Sequence, residues 1–235
     1  MIPFLFYVNS FSKYILMLQA STLKFLKDLK KNNNRPWFEG HRKQYEAAKG
    51  DFLLMTEKLI AGIAAFDPPI AQLKAKDCTF RINRDVRFSK DKSPYKSNIA
   101  GYFNRNGKKG IGAGYYLHIE PGNSFAAGGM WMPEPKDLVK IRQEIDYSFD
   151  EWKKMIGNSI FKKTFIEGIK GEALVRPPKG YDDTNPAIEF IKHKSFIVTK
   201  SFTDTEVQDK AFVKNVVITF KTMNPLIDFL NAAIE

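Results

Sequence analysis

Apolar residues recur along this chain with two different periods, and the switch between them divides it. Near the start Leu23, Leu26 and Leu29 share one helical face, and Ser21 or Thr22 stands where an N-cap is needed, so a helix is predicted to about Lys31. Asn32-Asn33-Asn34 ends it, and Pro36 suits the first turn of a second helix. From there Trp37, His41, Tyr45, Ala48, Phe52, Met55, Leu59, Ile63 and Phe66 recur at steps of three or four, a single long face. Gly50 and Gly62 are its weak points, where a kink or break is expected, and Asp67-Pro68-Pro69 is its stop.

The period then shortens to two. Thr79 to Phe88, Asn98 to Asn104, Tyr115 to Glu120, Ser124 to Met132 and, later, Ser195 to Phe202 read as strands. Asn106-Gly107 is a hairpin signal, and Pro121-Gly122-Asn123 marks a second turn. These links are too short for parallel crossovers, so the strands are expected to form an antiparallel meander. Helical spacing returns after Pro135 with Leu138, Ile141, Arg142 and Ile145, and shorter segments surround Trp152 and Phe161. Asn185-Pro186 is expected to open a short helix to about Lys192. Thr203 with Glu206 has the spacing of a capping box. Ala211 to Met223 traces a last helical face, with Pro225 expected to interrupt it before Leu226 to Ile234. Helices, then strands, then helices predict an α+β fold: one domain over residues 17–235, with an antiparallel sheet of four to six strands flanked by N- and C-terminal helices.

Composition adds three constraints. A 43% hydrophobic fraction with 27% charged residues is too apolar for a disordered chain. The single Cys78 excludes an intramolecular disulfide and a multi-cysteine zinc site; it fits a reducing compartment, so a cytoplasmic location is expected. Residues 1–16, MIPFLFYVNSFSKYIL, are too short and polar to span a bilayer and lack the marks of a signal peptide. They read as an extension ahead of a start at Met17, and no later stretch reads as transmembrane.

Charge changes the picture most. The formal net charge is +11, but Lys74 to Lys109 holds eleven basic residues against three aspartates, a net of +8. Within it, alternation over Arg81 to Phe88 puts Arg81, Asn83, Asp85 and Arg87 on one side and Ile82, Arg84, Val86 and Phe88 on the other. Ser89 to Pro94 reads as a turn that returns Lys90, Lys92 and Lys96 to the strand end. One reading is a site for a small phosphate- or carboxylate-bearing ligand made by Arg81, Arg84, Arg87, Lys92, Tyr95 and Lys96. Arginine offers a planar fork, lysine a mobile charge and tyrosine a hydroxyl. A second is a nucleic-acid surface built on the same block. A third is an interaction protein or an ion-pair network, with Asp85 bridging Arg81 and Arg87 and Asp91 pairing with a lysine. Asp85 is then either a base or a brace.

The run Arg81-x-x-Arg84-Asp85-x-Arg87-Phe88-x-x-Asp91-Lys92-x-Pro94-Tyr95-Lys96 resembles the signature of a bacterial family of conserved hypothetical proteins catalogued as domain of unknown function 2461. Asn33-Asn34-Arg35 with Trp37-Phe38, Gly128-Gly129 with Pro133, Pro178-Lys179-Gly180-Tyr181, and Pro225-Leu226 with Phe229-Leu230 are similar as well. The likeness covers about Met17 to Ile234 and leaves residues 1–16 outside. It departs at Asn185-Pro186, where members often carry a histidine, so no role rests on that position. The resemblance implies a compact bacterial domain and brings no activity with it.

Other candidates are weaker. His118 and Glu120 share a strand face and form a conceivable acid–base pair. Gly110-Ile111-Gly112-Ala113-Gly114 is followed by strand-like residues, so it reads as a hairpin or bulge rather than a phosphate loop. Glu134-Pro135-Lys136 echoes a nuclease element without a partner carboxylate. His41, His118 and His193 lack mutual metal spacing, and neither a metal nor a cofactor is expected. Trp37 reads as core, whereas Trp131 beside Gly128-Gly129 suits either a ligand or a packed neighbour.

Overall fold

The short-period segments become one sheet. The computed structural model describes residues 17–235, and the predicted extension over residues 1–16 lies outside them. Strands β1 (Ile99–Phe103), β2 (Gly114–Ile119), β3 (Ser124–Met130) and β4 (Phe196–Phe202) form an antiparallel sheet in the order β1-β2-β3-β4. The α+β reading is therefore right, at the low end of the expected strand number. Tyr115, Leu117 and Ile119 of β2, Ala126 and Met130 of β3, and Phe196 and Val198 of β4 are buried. They face a helical layer in which α3 (Arg42–Ala64) packs on β1, α10 (Phe212–Ile234) packs on β3, and α1 (Ala20–Lys31) backs α3. The opposite face carries the row Tyr102, Tyr116, Ala127 and Thr199, aligned by the strand register.

The long passage from β3 to β4 contains α5 (Pro135–Tyr147), α6 (Phe149–Gly157), α7 (Ser159–Thr164) and α8 (Ile188–Ile191). It supplies Trp152, fully buried among Phe190, Phe196 and Phe229. After β4 the Thr203–Glu206 capping box opens α9 (Asp204–Val207) as expected. No helix among the described residues is long and apolar enough to cross a membrane.

Several boundaries differ from expectation, each for a local reason. Neither Ser21 nor Thr22 caps α1. Asp51 of α3 does so from outside, accepting from the Gln19 amide (2.8 Å) and the Thr22 hydroxyl (2.6 Å). The long helical face breaks at His41, between α2 (Arg35–Gly40) and α3, while Gly50 and Gly62 stay helical. Gly62 is where α3 meets α10: a Cβ there would lie 2.5 Å from Val217 Cγ2. Pro225 does not interrupt α10. Proline strips a hydrogen bond from the carbonyl four residues earlier, that of Lys221, and both residues lie on the exposed face where water satisfies it. The Asn185-Pro186 helix starts later, at Ile188. Asn106-Gly107 makes no two-residue hairpin; it lies in a longer β1–β2 connection over residues 104–113, turned by a Gly107 amide bond to the Asn104 carbonyl (2.8 Å).

The largest correction is Thr79 to Phe88, which is not a strand. Its alternation is real up to Arg87, with Arg81, Asn83, Asp85 and Arg87 exposed and Ile82, Arg84 and Val86 turned inward. Its backbone pairs only at isolated bridges, Thr79 with Gly101 and Asn83 with Tyr95. Phe88 breaks the pattern and is 96% exposed. Alternation reports which side is buried, whereas a strand also needs a continuous hydrogen-bonding neighbour.

Candidate functional site

The basic segment leaves the short helix α4 (Ala75–Cys78) and runs along the free edge of β1, where the Phe80 amide donates to the Ala100 carbonyl (3.1 Å). It then doubles back on itself. Arg84 N–H donates to the Pro94 carbonyl (2.9 Å), and Lys96 N–H donates to that of Ile82 (2.8 Å). The base of this loop is pinned by Asn33, whose amide side chain bonds both the Tyr95 carbonyl (2.8 Å) and the Tyr95 N–H (3.0 Å). Tyr95 itself is buried and stacks on Phe38 at 4.0 Å. The resemblance at Asn33 and at Tyr95 thus marks two sides of one contact.

The tip of the loop neutralises itself. Arg87 grips Asp85 through Nε (3.0 Å) and a terminal nitrogen (2.7 Å), and its amide donates to the same carboxylate (3.3 Å). Asp85 is held below the usual carboxylate range, first by Arg87 and then by the charge of Arg81. Arg84 pairs with Asp91 and reaches the Ser93 carbonyl (3.2 Å) and the Ser89 hydroxyl (3.3 Å). Hydrogen bonds from Ser93 and then from Arg84 hold Asp91 at about 2. Lys92 Nζ donates to the Val86 (3.0 Å) and Arg87 (3.5 Å) carbonyls. Asp85 therefore braces Arg87 rather than bridging two arginines, and the partner of Asp91 is an arginine.

Of the block's eleven basic residues only Arg84, Arg87 and Arg105 have a carboxylate partner among the described residues, and three of the other eight, Arg81, Lys96 and Lys108, gather near Phe80. Lys96 Nζ sits 5.4 Å and Lys108 Nζ 5.3 Å from the centre of its ring, and Arg81 and Lys108 line a neighbouring hollow that Phe80 also walls. None of the three forms an ion pair among the described residues. Burial, then Arg81, then Lys108 push the Lys96 ammonium below its ordinary pKa. A hollow of about 410 Å³ opens beside Lys96, walled by Phe80, Arg84, Asp85, Asn98, Ala100 and Tyr116.

His118 and Glu120 do meet. Glu120 Oε2 lies 3.3 Å from His118 Nε2, and the carboxylate also accepts from Ser97 (2.8 Å), Asn123 (3.1 Å) and Lys30 (3.1 Å). Burial works against its ionisation, but these donors outweigh it and set its pKa at about 2. The His118 imidazole is held below its usual value, chiefly by burial, and is neutral. An ionised carboxylate only accepts, so Nε2 carries the imidazole proton and the bare Nδ1 accepts from the Tyr116 hydroxyl at 3.1 Å. The chain Tyr116–His118–Glu120 thus fixes the phenol that walls the hollow.

The structure brings Arg84, Asp85 and Lys96 to one hollow and Arg81 to the next. It places Arg87 and Lys92 at the loop tip and Tyr95 on the far side, against Phe38. Phe80, Asn98, Tyr116 and Lys108 were missed. Lys108 lies inside the basic block but beyond the resembling run, and only the β1–β2 connection returns it to Phe80. Gly110 to Gly114 leads into β2, a strand, and Gly112 adopts φ +119° against Asn231. Gly128 and Gly129 admit packed neighbours: a Cβ would meet Met223 Sδ at 2.6 Å and the Phe196 carbonyl oxygen at 1.9 Å.

A family model described as "Conserved hypothetical protein (DUF2461)" matches residues 21–229. No curated protein and no solved structure matches the chain.

Proposed function

Since the chain belongs to this family of conserved hypothetical proteins, whose description assigns no reaction, we propose its function from the site: it binds a small phosphate- or carboxylate-bearing ligand beside Phe80. Lys96 is the principal cation, Arg81 and Lys108 supply the surrounding field, and Arg84, its charge already matched by Asp91, offers only its remaining N–H donors. The observation that carries this reading is the contrast between neighbours. Arg84 and Arg87 each have an aspartate, whereas Lys96 and Lys108 have none and flank one aromatic ring, with the charge of Arg81, also without a carboxylate, acting on Lys96. Uncompensated like charges in a concave, partly desolvated place are relieved by an anion.

The test is calorimetric titration of the protein with inorganic phosphate, pyrophosphate and citrate, with thermal shift alongside. Lys96→Ala is expected to weaken the best of these by about tenfold to a hundredfold, the usual worth of a charge-assisted hydrogen bond. Arg87→Ala, at the exposed tip, is expected to leave affinity within about threefold. Binding that ignores Lys96 sinks the reading.

A second reading has one observation behind it. Phe88 is almost wholly exposed beside Arg87, whose guanidinium lies 5.8 Å from its ring centre, an arrangement suited to stacking a nucleobase.

A further inference from the structure

The free face of the sheet is not the polar surface that an antiparallel sheet with one solvated side usually presents. Tyr102, Tyr116, Phe125, Ala127, Ile197 and Thr199 floor a cavity of about 760 Å³ there, within the range of small-molecule sites. Its rim is apolar and open to solvent, with Ile111, Trp131 and Met132 each more than half exposed. Trp131 and Met132 are held up by the end of β3: Met132 takes φ +46° and its amide donates to the Ser195 hydroxyl at 2.9 Å.

Two facts join this cavity to the anion hollow. Phe80 and Tyr116 wall both. The cavity lining contains no arginine or lysine, and its charged residues are Glu134 and Asp137 at the start of α5. The hollow's own carboxylate, Asp85, is matched by Arg87, so an anionic group is repelled within the cavity and attracted just outside it, past Phe80, at Lys96. The cavity is also far larger than a phosphate group needs.

We propose that the hollow and the cavity are two halves of one site for a single-headed amphiphilic anion. Its phosphate or carboxylate head sits at Lys96 and Arg84, and a medium-length alkyl body lies over Tyr116, Ala127 and Thr199 under the Trp131 rim. This inference rests on the anion reading of the hollow and adds the class of ligand. Two sources share this chemistry, alkyl phosphates and fatty carboxylates, and both belong in the experiment.

Calorimetry at fixed ionic strength compares inorganic phosphate with ethyl, butyl, hexyl and octyl phosphate, all below micelle formation, and with octanoate and octanol. Each methylene that enters the cavity is expected to tighten binding by up to about fourfold. At just over twofold for each of its six extra methylenes, roughly half the full transfer energy, octyl phosphate should bind about a hundredfold tighter than ethyl phosphate. Ala127→Phe, which fills the floor, is expected to cut that gain below about tenfold while leaving inorganic phosphate binding unchanged, and this retained binding certifies the variant's fold. The wild-type chain-length series needs no variant at all. Should phosphate bind while the series stays flat, the inference falls and the anion reading stands. Failure of every anion to bind removes the anion reading itself. Octanol matching octyl phosphate would mean a cavity unlinked to the hollow and overturns the inference. So would a dimer by sedimentation that Trp131→Ser dissociates, since a second copy would then cover the cavity.

Discussion

At the scale of single residues, Glu120 is the best-tied group near the site. Its carboxylate joins Lys30 of α1, Ser97 beside β1, and His118 on β2. Its folded pKa of about 2 lies below the ordinary value of 4.5, so the stability it contributes is complete above about pH 4.5 and is lost as pH falls towards 2. His118 acts with the same sign in an earlier window. Its imidazole is depressed below 6.5, so the unfolded chain takes a proton first, and stability starts to fall as pH drops through 6.5. Glu120→Gln is expected to cost about 2 kcal/mol at pH 7 and to flatten the loss between pH 4.5 and 2, read from urea midpoints across pH. An unchanged acid limb would detach Glu120 from this network. The pair was legible because a period of two puts residues 118 and 120 on one side. Tyr116, one step further along the same face, is the member that reaches the hollow, and the same period could have found it. Lys108 was not legible in this way, because no period links it to Lys96; only the path of the β1–β2 connection does.

At the scale of elements, what was readable depended on whether the cause was local. Four of the five expected strands formed and the Thr203–Glu206 box followed from spacing, both readable from consecutive residues. Thr79 to Phe88, by contrast, alternates without the continuous partner that a strand needs. The cap of α1 comes from Asp51 on another helix, and the straightness of α10 through Pro225 depends on which side meets water, so neither is local. The free sheet face left a readable trace: β3 is apolar in both phases, with Phe125 and Ala127 alternating with Ala126 and Gly128. Gly62 shows the same distinction. In sequence it weakens α3, and in the fold it lets α3 approach α10. Gly62→Ala is expected to destabilise by about 1–3 kcal/mol despite alanine's better helix propensity, because Val217 is β-branched and moves little. Adding Val217→Ala should return part of that loss, a coupling that a double-mutant cycle in urea measures directly. Additive losses would mean that the close approach is not what fixes this glycine.

At the scale of the whole molecule, the net charge of +11 exaggerates what is available to a partner. The block from Lys74 to Lys109 supplies most of it, yet Arg105 within the block is held by Asp67 and Asp228 from outside it. Arg84 and Arg87 are matched by the block's own aspartates. Beside the hollow the uncompensated charge is that of Arg81, Lys96 and Lys108, while Lys74, Lys76 and Lys109, and Lys90 and Lys92 at the loop tip around Phe88, leave further unmatched charge on the exposed surface. A hollow and an exposed surface respond differently to salt. A single-stranded nucleic acid held through about five phosphates releases counterions, and its log K falls against log salt with a slope of about −3.5. A small anion in the hollow releases far fewer, so its slope should stay shallower than about −2. Titrating a single-stranded oligonucleotide and pyrophosphate between about 50 and 200 mM salt separates the two. The expected outcome is a shallow slope for pyrophosphate that Lys96→Ala weakens, and weak oligonucleotide adhesion that fades with salt and responds to Arg87→Ala instead. A tight oligonucleotide complex with the steep slope, lost on Phe88→Ala and indifferent to Lys96, would transfer the function from the hollow to the loop tip.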